Sequence, residues 1–311
     1  MKISHLDDKF FSRLETLALN LRSSLAGYFG GKHLVNTYGQ TVEFADYREY
    51  QLGDDIRRID WNLYSRFEKH YLKLFTDERQ MQVQVFLDCS ASMGKDNPKK
   101  GSYAVATAAA LGYLAVHNMD KVSFHLIKGD RSENPFGTII GKNAFFRAIS
   151  TIGEMGFDEE ADIEKGIASC QEIGTNNGLS VIISDFFTES DWKKAVDYLC
   201  YKKRQVLLVQ VLSPEETDPT YDGRVNLIDS ESVDMSDQKN MKIRITRSMQ
   251  KAYEEALRDF KQDIKTFCSK RNVDFISVRT DKPIERMLFG ELLNVCLLYT
   301  SPSPRDRQKS R

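Results

Sequence analysis

Short apolar runs alternate with helix-like segments along most of the chain. Four of the runs are long and apolar enough to form buried strands, at 81–88, 122–128, 179–184 and 205–212. Four other segments have the spacing or composition of helices, at 102–117, 142–155, 162–173 and 190–202. Strands that alternate with helices form parallel sheets with helices on both faces. The pattern therefore predicts an α/β fold with a doubly wound, mainly parallel sheet.

Further elements are predicted at both ends of this alternation. An amphipathic helix is predicted over residues 4–26, because leucine and phenylalanine recur there at helical spacing. Strands are predicted at 69–78, 136–140 (an edge strand) and 273–278, a hairpin-type insertion at 225–228 and 241–245, and helices at 248–271 and 284–293. The sheet thus gains an N-terminal extension of helix and strand, and a small β insertion.

The bulk properties of the 311-residue chain exclude several classes of protein. Its formal net charge of −1 gives no sign of a nucleic-acid or membrane-surface binder. No apolar run approaches the length of a membrane span, and the first residues lack the apolar core of a signal peptide. We therefore expect a cytoplasmic protein without a membrane segment.

The five cysteines lie far apart and include no Cys-x-x-Cys pair. This pattern predicts reduced, mostly buried thiols rather than a disulfide framework or a zinc site. Cys89 is the one thiol next to a motif, and we favour a packing role over a redox role for it.

The last sixteen residues, 296–311, differ in character from the rest of the chain. They match an in-frame translation of a transposase-type sequencing adapter, with its Leu-Leu-Tyr-Thr-Ser-Pro-Ser-Pro-Arg-Asp sequence. We therefore expect this tail not to be native and exclude it from the fold prediction. A genuine disordered basic tail is the alternative that the composition allows.

The stretch 82–94 carries the most specific candidate chemistry. Its apolar run breaks into small polar residues, with Asp88, Ser90 and Ser92 at every second position. Alternate side chains of an extended backbone point the same way, so one carboxylate and two hydroxyls are expected to converge. Hard cations such as Mg²⁺ prefer oxygen ligands of this kind. Open α/β sheets also bind ligands beyond the carboxyl ends of their strands. The stretch is a candidate cation site.

Segment 44–66 interleaves charged and aromatic residues. Its arginines, Arg48, Arg57, Arg58 and Arg66, have suitable carboxylate partners in Asp46, Asp54, Asp55 and Asp60. We favour an ion-pair lattice that fastens the segment to the main sheet. A partner-binding or catalytic acidic cluster is the alternative, although paired arginines keep carboxylates ionised and so do not prepare them for acid catalysis.

Two motifs together resemble one known family. Asp88-Cys89-Ser90-Ala91-Ser92 at the end of a strand resembles the metal-ion-dependent adhesion site of von Willebrand factor A domains. The segment before it resembles the signature of the bacterial domain of unknown function 58 family, which precedes such a domain. The signature residues here are Arg48, Tyr50, Gly53, Asp54, Asp55, Arg57, Asp60, Trp61 and Arg66. The resemblance implies an N-terminal extension over 1–80 and a von Willebrand factor A-like domain over 81–294.

The resemblance also implies a metal site. Asp88, Ser90 and Ser92 match its first motif, and Asp185 matches the acidic residue of its last motif. The threonine of the middle motif falls on Ala161, so Glu160 or Asp162 is a candidate substitute, or the site binds weakly or not at all. The divalent cation would be Mg²⁺ or Mn²⁺. The alternative to metal binding is that both serines only cap the following helix.

By resemblance, the function is that of a non-enzymatic, protein-binding module. Members of the family are commonly encoded beside MoxR-type AAA+ ATPases, which implies such a partner in the assembly or maturation of protein complexes. One alternative is a scaffold with a degenerate metal site that binds through the surface 46–66. The other is a metal-dependent hydrolase, although the sequence lacks the second aspartate of Asp-x-Asp phosphatases and a Gly-x-Ser-x-Gly elbow.

Overall fold

The structure is a computed structural model that describes residues 9–16, 42–51, 54–77, 81–94, 97–153, 156–157, 160–173, 178–219, 223–227 and 241–292. The chain divides into two compact units, one of Gly30–Gln80 and the other of Met1–Phe29 with Met81–Arg311. Helix α1, over residues 9–16, buries Phe10, Phe11 and Leu14 in the core of the larger unit. This burial explains why the first residues join the larger unit, whereas the sequence-based division grouped them with the extension.

The described residues of the smaller unit form a two-stranded antiparallel sheet and one short helix. Strand β1 (Val42–Glu49) pairs with β2 (Tyr71–Asp77). Between them lie a 3-10 turn and helix α2 (Trp61–Phe67), and this helix has no buried residue. Neither β1 nor α2 was predicted, because the order of charged and aromatic residues in this segment matches neither the repeat of a strand nor the repeat of a helix clearly.

The larger unit contains the other strands. They are β3 (Gln82–Asp88), β4 (Lys121–Lys128), β5 (Arg131–Glu133), β6 (Gly178–Ser184), β7 (Gln205–Leu212), β8 (Gly223–Leu227), β9 (Met241–Ile245) and β10 (Asp274–Arg279). The predicted insertion hairpin is confirmed as the antiparallel pair β8–β9. The other six strands form one sheet in the order β10-β7-β6-β3-β4-β5, parallel except for β5. The doubly wound, mainly parallel α/β fold is therefore confirmed.

The order of these strands creates a switch point between β3 and β6. From β3 the chain moves to β4 on one side, and then crosses back to β6 on the other side. It continues in that second direction through β7 to β10. Open parallel sheets bind ligands in the crevice beyond the carboxyl ends of the strands at such a reversal. Asp88 ends β3, and Asp185 directly follows β6.

Helices cover both faces of the sheet. The larger unit contains α3 (Ala91–Gly94), α4 (Pro98–His117), α5 (Lys142–Ile152), α6 (Ile163–Ser169), α7 (Trp192–Tyr201), α8 (Pro214–Thr217), α9 (Arg247–Arg271) and α10 (Ile284–Arg286), which leads into a π-helical turn over Met287–Leu292. One core joins α1, α4 and α5 to the sheet, and the other joins α6, α7 and α9. Alternate residues of β3 serve the two cores, with Val85 in the first and Phe86 in the second.

Helix α4 is buried along nearly its whole length, as its two apolar faces predict. It begins at Pro98, four residues before the predicted start. The Asn97 side chain caps it by accepting a hydrogen bond from the amide of Lys100 at 3.3 Å. Proline is favoured at the first position of a helix, since its missing N–H would have no partner there.

Two predicted elements differ from the structure. The edge strand expected at 136–140 is wrong: β5 takes this place at Arg131–Glu133, and Ile139 forms an isolated bridge with Val122. The last helix is shorter than predicted because it changes to a π-helical turn. Most of the predicted helix 4–26 and the whole tail 296–311 lie outside the described residues.

Gly178 at the start of β6 provides a test of the packing. A Cβ atom at this position would lie 2.5 Å from the backbone oxygen of Gln82 and 2.3 Å from Nη1 of Arg204. That guanidinium donates to the Gln82 and Leu179 carbonyl oxygens at 2.8 Å each. Gly178→Ala is therefore expected to lower the free energy of unfolding by about 2–3 kcal/mol. Urea denaturation measures the change, with Gly290→Ala as the control because nothing lies within 4 Å of a Cβ there.

Candidate functional site

The carboxylate of Asp88 lies at the centre of the candidate site. Leu87 pairs with Ile183 across the parallel strands, so Asp88 and Ser184 end neighbouring strands side by side. Ser184 donates its hydroxyl to Asp88 Oδ2 at 2.5 Å, and the amide of Ser90 donates to Oδ1 at 2.9 Å. Both carboxylate oxygens are thus held by the ends of β3 and β6.

Burial makes the negative charge of the Asp88 carboxylate energetically unfavourable. The side chain is almost fully buried, and burial raises its pKa from 3.8 to about 6. The nearby charge of Asp185 contributes to this rise in pKa, whereas the hydrogen bonds from Ser184 and Ser90 oppose it. Two carboxylates at one buried edge favour the approach of a positive charge.

The two serines of the first motif face each other. Ser90 Oγ and Ser92 Oγ lie 3.1 Å apart, as the alternation of the sequence predicted. Ser90 is buried, whereas Ser92 is half-buried and so reaches toward the surface. Cys89, directly before Ser90, packs in the core, and its thiol donates to the Leu87 carbonyl oxygen at 3.6 Å. The serine hydroxyls contact each other, and it is the carboxylate of Asp88 that binds the loop amide.

Asp185 faces a lysine that the sequence analysis missed. The side chain of Lys100 is fully buried, and Nζ donates to Asp185 Oδ2 and Glu216 Oε1 at 2.7 Å each. The other oxygen of Asp185 accepts a hydrogen bond from the amide of Phe187 at 2.8 Å. Burial opposes the charge on Lys100, but the carboxylates of Asp185 and Glu216 outweigh it and raise the pKa of the ammonium. This lysine is therefore a permanent cation at the site.

Three residues of the site, Lys100, Ser184 and Glu216, were missed in the sequence analysis, although each has a signal in the sequence. The pair Asn97-Pro98 is a cap followed by a first-position proline, which places Lys100 in the first turn of α4 rather than in a loop. Ser184 directly precedes Asp185 at the end of an apolar run, so strand alignment alone brings it beside Asp88. Glu216 has a weaker signal: Ser213 and Glu216 form a capping box around α8.

The middle motif offers no hydroxyl. Ala161 forms a parallel bridge with Gly129 beyond β4. Asp162 caps α6, where Oδ1 accepts the amide of Lys165 and Oδ2 pairs with its Nζ, both at 3.0 Å. Glu160 is exposed. Among the described residues no three carboxylate, imidazole or thiol groups converge as metal ligands, so neither acid joins Asp88 and Asp185 in such a cluster.

The divalent cation implied by the resemblance fits the first motif. Two neighbouring oxygens in the octahedral shell of Mg²⁺ lie about 3 Å apart, and the serine hydroxyls are 3.1 Å apart. Asp88 supplies the adjacent negative charge. The rest of the donor set is reduced, because Ala161 has no oxygen ligand and one oxygen of Asp185 already binds Lys100. Asp88, Ser90 and Ser92 are therefore the residues that would hold the cation.

In the smaller unit, the predicted ion pairs form in part. Arg48 pairs with Asp54 at 2.8 Å. Hydrogen bonds from the Gln51 amide and from Arg48 hold the pKa of Asp54 below its usual value. Asp55 and Asp60 accept backbone amides and so begin the 3-10 turn and α2, and Tyr47 also donates to Asp60 at 3.1 Å.

The remaining residues of the signature are exposed or incompletely described. Arg57, Trp61 and Arg66 are exposed, and Tyr50 is half-buried. Gly53 lies outside the described residues, as do the side chains of Asp46 and Arg58. Capping is thus an observed role of two of the four predicted acids, Asp55 and Asp60.

Comparison with known proteins identifies the family. The model of the family described as protein of unknown function DUF58 matches residues 46–263, which include the signature segment and both candidate motifs. The chain belongs to the DUF58 family. A curated relative of this DUF58 protein, the uncharacterized protein Rv1480 of Mycobacterium tuberculosis, is 28% identical over 231 residues, 73% of this chain and 72% of the relative.

Solved structures similar to this DUF58 protein have low sequence identity. BatB from Bacteroides thetaiotaomicron is 14% identical with a TM-score of 0.43, over 70% of this chain and 98% of that chain. A von Willebrand factor type A structure from Catenulispora acidiphila is 8% identical with a TM-score of 0.33, over 57% of this chain and 43% of that chain. Within the described part of the protein, no helix combines the length and apolar character that a membrane crossing requires.

Proposed function

We propose that this DUF58 protein is a non-enzymatic module that binds a partner protein at the carboxyl edge of its sheet. The observation that carries the proposal is that the Asp88 carboxylate and the Ser90–Ser92 hydroxyl pair lie at the switch point between β3 and β6, where the charge of Asp185 also acts on Asp88. Ser92 is half-buried, so a partner has access to this edge. The proposed partner is a MoxR-type AAA+ ATPase in the cytoplasm, with family resemblance as the support.

A divalent cation, Mg²⁺ or Mn²⁺, is the proposed link between the two proteins. When bound, it supplies an open coordination position for a carboxylate of the partner. The chain's own contribution is a fixed geometry: Ser184 and the Ser90 amide hold the Asp88 carboxylate, and the hydroxyls of Ser90 and Ser92 lie 3.1 Å apart. The reduced donor set implies weak binding.

The arrangement gives little support to an enzyme. Hydrogen bonds to both oxygens fix the Asp88 carboxylate, and the proposal uses this group as a cation ligand rather than as a nucleophile. The contact of Cys170 Sγ with His125 Nδ1 at 3.5 Å lies in the core. Burial raises the pKa of this thiol and so disfavours the reactive thiolate.

Weak cation binding predicts a measurable gain in thermal stability. A ligand that binds only the folded state stabilises it by mass action, so 10 mM Mg²⁺ or Mn²⁺ is expected to raise the melting temperature by roughly 2 °C or more. Asp88→Asn keeps the shape of the side chain and removes the charge, and it should abolish the rise. Differential scanning fluorimetry with and without EDTA measures both. Equal rises in the two proteins would contradict the proposed ligand.

One observation favours a second candidate, a scaffold that binds through surface 46–66. Trp61 and Phe67 of α2 are 56% and 62% exposed, and Ile56 before them is 60% exposed. Exposed aromatic groups of this size are enriched in binding surfaces. In a pull-down, loss of the partner from a Trp61→Ser/Phe67→Ser variant but not from Ser90→Ala/Ser92→Ala would favour the scaffold.

A further inference from the structure

Lys100 supplies a positive charge, from the chain itself, to the carboxylates of the switch-point site. Its side chain has no exposed surface, and its ammonium donates to one oxygen each of Asp185 and Glu216 at 2.7 Å. Lysine is almost never fully buried unless it is paired. The three residues come from α4, the end of β6 and α8, so the ion group joins three separate elements.

Glu216 is positioned independently of the lysine. Its second oxygen accepts the amide of Ser213 at 2.7 Å, and its own amide donates to Ser213 Oγ at 3.3 Å. Its backbone oxygen accepts the hydroxyl of Tyr253 at 2.8 Å. A carboxylate fixed in this way holds the ammonium in place, and the ammonium in turn neutralises Asp185.

We propose that Lys100 is a resident cation of the switch-point site that sets its affinity for divalent cations. By neutralising Asp185, the ammonium weakens the attraction of Mg²⁺ or Mn²⁺ to Asp88, Ser90 and Ser92. The positive charge of the Lys100 ammonium also repels an incoming cation directly. The inference rests on the proposed function in one respect, since it takes Asp88 and the serine pair as the cation ligands.

The test is the dissociation constant for Mn²⁺, measured on the full chain by the EPR signal of the free ion. The principal variant is Lys100→Met/Glu216→Gln, which removes the ammonium and one carboxylate together and keeps the Asp185 carboxyl group. We expect it to bind Mn²⁺ at least tenfold more tightly than the wild type. Lys100→Gln/Glu216→Gln, with an uncharged donor at position 100, should behave in the same way.

Three controls locate the effect. Glu216→Gln alone keeps the ammonium and loses a negative charge, so it should bind Mn²⁺ no more tightly than the wild type. Lys99→Met removes a neighbouring exposed lysine from the same helical turn, and we expect a change below twofold. Adding Ser90→Ala/Ser92→Ala to the principal variant should return its affinity to the wild-type level.

The proposal is overturned if the folded double variants bind Mn²⁺ within twofold of the wild type, or if Glu216→Gln alone gives the same gain. Loss of folding in both double variants also overturns it, because Lys100 would then be a structural residue only. The result of this test for Lys100 does not depend on whether the proposed metal-dependent docking is correct. A gain of Mn²⁺ affinity together with partner binding that ignores EDTA supports the role of Lys100 and contradicts metal-dependent docking.

Discussion

Replacing Lys100 alone by methionine is expected to lower the free energy of unfolding by about 3–5 kcal/mol. Removing one member of a buried ion pair leaves the remaining charge without compensation in a medium of low polarity. Here the variant leaves Asp185, which is almost fully buried, and Glu216 without the ammonium that bridges them. Urea denaturation at neutral pH measures the loss.

The matched control is Lys99→Met in the same turn of α4. Lys99 is exposed, and surface substitutions usually change stability by less than about 0.5 kcal/mol. Equal stability of the Lys100 and Lys99 variants would show that the buried ion group does not hold α4, β6 and α8 together.

Acid is expected to destabilise the protein through His125, by about 3 kcal/mol between pH 6.5 and pH 4. His125 on β4 is buried, with Nε2 3.0 Å from Ser123 Oγ and Nδ1 3.5 Å from Cys170 Sγ. Burial, with a smaller effect from the charge of Arg204, lowers its pKa from 6.5 to about 4. A tenfold change in a proton-binding constant corresponds to about 1.4 kcal/mol.

The sign follows from proton uptake by the two states. Above pH 6.5 the ring is neutral in both, so His125 contributes nothing to pH dependence. Below pH 6.5 the unfolded chain binds a proton at His125, whereas the folded chain does not bind it until about pH 4. The free energy of unfolding therefore falls over that interval. Chemical denaturation across this pH range measures it. His125→Gln cannot take the proton and should lose about 3 kcal/mol less on acidification. Parallel pH profiles of the two proteins would contradict this role.

The sheet and the candidate site were predictable for the same reason. Buried parallel strands appear in sequence as continuous apolar runs, and their carboxyl ends meet at one edge of the sheet. Asp88 ends one such run and Asp185 follows another. The family resemblance implied that the two share a site, and the charge of Asp185 does act on Asp88. The alternation also predicted that the hydroxyls of Ser90 and Ser92 converge, and they lie 3.1 Å apart. The expected extended backbone is wrong at Ser92, which lies in helix α3.

Features that depend on side chains from distant segments could not be predicted in this way. Lys100 and Glu216 are separated by more than a hundred residues, and no local pattern indicates that one ammonium joins them. The strand expected at 136–140 does not form, although Ile139 bridges Val122 of β4, and the regular pairing with β4 is made by the polar segment Arg131–Glu133. Here the tertiary context decides the pairing.

The central claim is that a partner binds at the switch-point edge, and its most direct test is a binding measurement. Isothermal titration of a purified MoxR-type ATPase from the same organism into the wild type is compared with Ser90→Ala/Ser92→Ala. The control is Thr266→Ala/Ser269→Ala, which removes two hydroxyls near the end of α9, just before β10 begins at the opposite edge. We predict at least a tenfold loss of affinity in the first variant and none in the control. Unchanged binding of the Ser90→Ala/Ser92→Ala variant would contradict the claim.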